Sequence, residues 1–111
     1  TRTDDAAKKH AIQRKSEGNS HFVKKDYTRA IECYTDAIQS NPLDATFYSN
    51  RSACHMAIND YTEALCDAIR TRTIRVDWTK GFYRLAVARL ALERFDDAAE
   101  AAWGGYCNWI T

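Results

Sequence analysis

At 111 residues, 45% apolar and 28% charged, the chain has the length of a single domain and enough apolar surface for a modest core. Its formal charge of +1 gives no general electrostatic case for nucleic acid or an anionic membrane, so any anion-binding role has to come from local clustering of cations. Nowhere does an apolar run approach the roughly 18 residues a membrane-spanning helix needs.

The opening stretch TRTDDAAKKH lacks the apolar segment of a secretory leader and has no initiator methionine, so the chain is expected to be a piece of something longer. The four cysteines, Cys33, Cys54, Cys66 and Cys107, form no C-x-x-C pair. Their scatter through apolar positions suits buried small side chains in a reducing, cytoplasmic setting better than a metal site or a disulfide framework. Nor do His10, His21 and His55 stand at metal-ligand spacing.

In chain order, Asp4 and Asp5 suit a helix start, where carboxylates complement free N–H groups. A first helix is expected from there to about Lys25, with Ala7, Ala11, Ile12 and Phe22 on its apolar face. Gly18 in its interior costs about 1 kcal/mol relative to alanine, which implies a close helix–helix contact at that point. Residues 27–40 carry Ala30, Ile31, Tyr34, Ala37 and Ile38 at helical spacing. Asn41-Pro42 stops that helix, because the residue before proline avoids the helical region. The next pair is expected at 45–58 and 61–73, divided by Asn59-Asp60. A last pair follows at 78–92 and from 95 to about 103, before Gly104 and Gly105. Sustained alternation and hairpin dipeptides are absent, so the class is all-α.

The same positions recur at a step of 34. Gly18, Ser52 and Ala86 form one series, Ala30, Ala64 and Ala98 a second, and Tyr27, Tyr61 and Phe95 a third. Small residues recur where two helices approach closely, and aromatic ones where a large side chain fills the gap between them. This period divides the chain into three helix–turn–helix units at about 11–44, 45–78 and 79–111. The pattern resembles the tetratricopeptide repeat over about residues 11–110. Departures fall at Val76 and Ile110, where the repeat usually has proline, and at Thr71 and Gly105, where it usually has alanine. The resemblance implies a right-handed superhelix whose concave groove is lined by the first helix of each pair. The polar helix that normally caps such an array is not evident, which implies an apolar C-terminal face open to self-association.

Lys15 and Asn19 share one face of the first helix as an i,i+4 pair, and Lys80 and Arg84 do the same on the third unit. Asn50 lies 31 residues beyond Asn19, which puts it on the neighbouring first helix. Cationic and amide donors converging on a small area suit carboxylates. A solvated helix face is the simpler reading of any one of these residues alone. Together with the strings KSEGN and KGFYR, the five resemble the dicarboxylate clamp of co-chaperone tetratricopeptide domains, with every position of its pattern filled. The resemblance implies binding of the C-terminal Glu-Glu-Val-Asp tail of cytosolic seventy- and ninety-kilodalton heat-shock chaperones. Lys15, Asn19 and Asn50 would then hold the terminal carboxylate, and Lys80 and Arg84 the aspartate side chain and upstream groups. Phe22, Ala53 and Met56 are expected about one turn beyond the asparagines, as a pocket for the valine or as core. No catalytic set, cofactor or metal ligand is expected. Two rival readings are a docking domain for a larger enzyme, such as a phosphatase or prolyl isomerase, and a scaffold that self-associates.

Overall fold

The computed structural model describes residues 2–93, all in helices and the short turns between them. The order is α1 (Arg2–Val23), α2 (Tyr27–Ser40), α3 (Ala45–Ala57), α4 (Tyr61–Ile74) and α5 (Thr79–Glu93). Among the described residues these make two helix pairs and a fifth helix, all helical as the repeat pattern predicts. The helix expected at 95–103, with Phe95, Ala98 and the apolar tail after Gly105, lies outside the described residues, as does the face expected to support self-association.

The turns show why the chain breaks where it does. Lys25 and Asn59, 34 residues apart, both adopt the left-handed conformation with φ of 63° and 64°. Each is followed by an aspartate whose N–H reaches back to a histidine carbonyl, Asp26 to His21 at 2.9 Å and Asp60 to His55 at 2.8 Å. These bonds close a Schellman C-cap, which satisfies the orphan carbonyls of the helix just ended. The same aspartates then stand at the N-caps of α2 and α4, and Asp26 accepts from the Arg29 N–H at 3.4 Å. Asp44 caps α3 more tightly, accepting from Thr46 N at 3.0 Å and Thr46 Oγ1 at 2.7 Å. Such a cap contributes about 1 kcal/mol.

Each helix packs chiefly on its chain neighbours, and α3 also reaches α5. Ala11, Ala37 and Phe47 join α1, α2 and α3. Ala30, Tyr34 and Cys54 join α2 to α3, while Ala64, Leu65, Ala88 and Leu92 join α4 to α5. The alanines let backbones approach, and the large side chains fill what remains. Ser52, fully buried, donates to the Ala64 carbonyl at 2.8 Å. Buried Thr71, in an alanine position of the repeat, turns its hydroxyl back to the Asp67 carbonyl at 2.8 Å. Gly18 and Ser52 are buried as the 34-residue series predicts, whereas Ala86 is exposed among the described residues.

One polar network ties three helices together. Arg51 of α3 donates from Nε and Nη2 to the two carboxylate oxygens of Asp67 on α4, both at 2.8 Å, and from Nη1 to Thr35 on α2 at 3.0 Å. Burial pulls the Arg51 guanidinium down, but the hydrogen bond and charge of Asp67 outweigh it and hold the group above its ordinary value. Of the cysteines, Cys33 and Cys54 are buried free thiols. Burial pushes Cys54 up to about 12 against the opposing charge of Arg84, so it behaves as a small hydrophobe at neutral pH. Cys66 is also buried, and Cys107 lies outside the described residues.

Candidate carboxylate-binding site

The groove side of α1, α3 and α5 meets α2 at a cavity of about 100 Å³, lined by Asn19, Phe22, Tyr34, Asn50, Ala53 and Arg84. Its geometry starts from Gly18. A Cβ there would sit 2.7 Å from Tyr34 Cε1, so the missing side chain is what admits the Tyr34 ring between α1 and α2. That ring is 1% exposed, and its hydroxyl donates to Asn19 Oδ1 at 2.5 Å. Asn50 Nδ2 approaches the same oxygen at 3.4 Å. Burial pushes the Tyr34 phenol far above its ordinary range, so it remains a donor at any neutral pH.

On the opposite wall Arg84 donates from Nε to Ser49 Oγ at 3.3 Å. Ser49 is fully buried, so it anchors the guanidinium from beneath and leaves the Nη groups for the cavity. Burial pulls Arg84 below its ordinary value, against the opposing influence of Tyr83 and Cys54, although an arginine stays charged at neutral pH. Phe22 at the rim is held edge-to-face against Tyr27, ring centroids 5.4 Å apart.

Some of the described cations are neutralised within the fold and others are not. Arg14 pairs with Glu17 and Asp36, Arg29 with Asp26, and Arg51 with Asp67. Lys15, Lys80 and Arg84 enter no ion pair among the described residues. Lys80 instead lies 5.8 Å from the Trp78 ring, and no carboxylate lines the cavity. A half-buried guanidinium without a counter-ion is a costly arrangement that a bound anion relieves.

Of the eight residues expected at the site, Asn19, Asn50, Arg84, Phe22 and Ala53 line the cavity. Lys15 and Lys80 stand on its flanking helices but not in its wall. Met56 departs from the expected pocket and packs on the Ala64–Leu65–Ala88–Leu92 cluster, because its turn of α3 faces α4. Sequence reasoning placed Tyr34 in the core and did not single out Ser49. The one available signal was a tyrosine, rather than a phenylalanine, at a fully buried aromatic position.

A family profile of the repeats in serine/threonine-protein kinase BSK1-like proteins, "TPR repeats", matches residues 3–86. The chain belongs to the tetratricopeptide-repeat family. This tetratricopeptide domain is 38% identical over 95 residues to the STIP1 homolog of Dictyostelium discoideum, a match that covers 86% of the chain and 17% of the relative. It is 40% identical over 91 residues to human serine/threonine-protein phosphatase 5, covering 82% of the chain and 18% of that protein. The chain therefore spans less than a fifth of these relatives. Among solved structures it superposes on the second TPR of Spaghetti (RPAP3) bound to the HSP90 peptide SRMEEVD. There the TM-score is 0.81 and the identity 30%, with 90% of this chain and 92% of that one covered. It also superposes on the second TPR domain of human RPAP3 in complex with the HSP70 peptide SGPTIEEVD, with TM-score 0.76, identity 32% and coverage of 86% and 78%.

Proposed function

We propose that this tetratricopeptide domain binds the carboxylate-terminated tail of seventy- and ninety-kilodalton heat-shock chaperones in the groove of α1, α3 and α5. The observation that carries this reading is Arg84, half-buried without a counter-ion beside Asn19 and Asn50 in one small cavity that no carboxylate lines, with Lys15 and Lys80 on the helices that flank it. Neighbours of the same fold are bound to peptides that end in EEVD. Lys15, Asn19 and Asn50 hold the terminal carboxylate, and Lys80 and Arg84 the side chain of the last aspartate. Phe22 and Ala53 flank the penultimate valine. Charge-assisted bonds of this kind contribute roughly 1.5–3 kcal/mol each, part of it offset by desolvation and ordering. A dissociation constant near micromolar, about −8 kcal/mol, follows for so short a ligand. The domain acts by binding, and the partner class carries a cytoplasmic setting with it.

The likeness to one part of phosphatase 5 supports a second reading, in which this binding domain docks a larger enzyme onto chaperones. The two are compatible, since the groove does the same work in both. Titration of a labelled peptide ending in Met-Glu-Glu-Val-Asp, beside its C-terminally amidated twin, tests the binding itself. The free acid should bind near micromolar strength, more weakly as salt rises, and the amide should not. Equal binding of both, or of neither, would sink the proposal.

A further inference from the structure

We infer that Tyr34 is a positioning and specificity-determining residue of the carboxylate site: its hydroxyl saturates Asn19 Oδ1 from beneath and so turns the Asn19 N–H donors toward the ligand. The inference rests on the carboxylate-clamp reading and sharpens it. A carboxamide is a two-faced group, with one acceptor and two donors on a terminus that can swing through half a turn. Left free, Asn19 would present its oxygen to a ligand as readily as its nitrogen. A terminal carboxylate accepts only, whereas a terminal amide also donates and would welcome that oxygen. Asn19 therefore discriminates between them only if something fixes its orientation.

The fold supplies that fixture. Tyr34 comes from α2, beneath the groove, and its hydroxyl lies 2.5 Å from Asn19 Oδ1. Asn50 Nδ2 approaches the same oxygen from α3 at 3.4 Å. With two donors converging on it, the oxygen has no capacity left for a ligand. The tyrosine itself cannot retreat, since its ring is 1% exposed and fills the space vacated at Gly18. Gly18 thus serves the site at one remove, by letting the phenol reach the asparagine next to it in sequence.

The test compares Tyr34→Phe with the unaltered 111-residue chain, using the free-acid and amidated forms of the Met-Glu-Glu-Val-Asp peptide. Tyr48→Phe is the control. Tyr48 is another buried tyrosine whose hydroxyl bonds a backbone carbonyl, that of Pro42 at 3.0 Å, away from the groove. Losing either hydroxyl can soften the fold, but only the first should touch ligand choice. For Tyr34→Phe, affinity for the free acid should fall about 3- to 10-fold, the range of one neutral hydrogen bond, while binding of the amide holds or rises. The acid-to-amide ratio should therefore shrink, and for Tyr48→Phe it should stay at the wild-type value. An unchanged ratio in Tyr34→Phe, with wild type discriminating normally, would overturn the role of Tyr34 and leave the clamp standing. A wild type that does not discriminate would take down the clamp and this inference together. Should Tyr34→Phe not fold, the wild-type proton spectrum decides. A slowly exchanging Tyr34 hydroxyl proton with a cross-peak to the Asn19 side chain supports the contact, and a freely exchanging one refutes it.

Discussion

Gly18 and Gly81 are both buried inside helices, yet they should respond in opposite directions to the same substitution. At Gly18 an added Cβ meets three atoms of the Tyr34 ring at 2.7–3.0 Å, and that ring has no room to yield. Overpacking of this kind costs about 1–3 kcal/mol, more than the roughly 1 kcal/mol of helix propensity that alanine contributes. At Gly81 the nearest atom is the Arg72 Cα at 3.5 Å, an ordinary contact. Gly18→Ala should therefore lower stability by about 1–2 kcal/mol. Gly81→Ala should raise it by a few tenths up to about 1 kcal/mol. Urea denaturation reads both, and a Gly18→Ala variant as stable as wild type would show that Tyr34 can move.

Between elements, one ionic link joins three helices. Arg51 and Asp67 are 21% and 8% exposed at their side chains, and with Thr35 they connect α2, α3 and α4. Asp67→Ala would leave the guanidinium buried without its counter-charge, at a cost of roughly 3 kcal/mol. Replacing both partners by leucine removes the stranded charge, so the double variant should recover a large part of that loss. Urea midpoints of the two variants check this. A double variant no better than Asp67→Ala would mean that the pair supplies packing shape rather than charge compensation. The turns carry a different economy: Lys25 and Asn59 accept left-handed backbone so that Asp26 and Asp60 can end one helix and begin the next.

Across the whole molecule, helices pack on their neighbours in sequence, so stability is close to a sum of local interfaces. A ligand in the groove touches α1, α3 and α5 at once and couples interfaces that the chain alone joins only in succession. Saturating free-acid peptide, at about a hundred times its dissociation constant, should stabilise the full chain by about 2.7 kcal/mol. The amidated peptide should stabilise it hardly at all, and raising the salt should shrink the gain, because the attraction is ionic. The shift in urea midpoint with each peptide measures this. Equal shifts would mean the groove does not read the chain end.

Helix bounds and repeat order were legible in the residues themselves, since N-cap aspartates, Pro42 and the 34-residue step are local signals. The expected helix at 27–40 matches α2, α3 and α4 differ from expectation by one residue at one end, and α5 by one residue at each end. That Lys15 and Asn19, Asn50, and Lys80 and Arg84 stand on the first helices α1, α3 and α5 was legible too, because i,i+4 spacing and the repeat step assign residues to equivalent helices. Periodicity stops at the face, however. It does not say which way a carboxamide turns, which cations find an internal carboxylate, or which of two neighbouring residues ends in the wall of a cavity. Those choices belonged to tertiary packing. It sent Met56 into the core, paired Arg14 and Arg51 with acids, left Arg84 half-buried on Ser49 without one, and set the Tyr34 hydroxyl under Asn19. The physical reason is range: caps and turns are decided within a few residues, whereas hydrogen-bond direction and desolvation depend on atoms brought together from helices far apart in the chain.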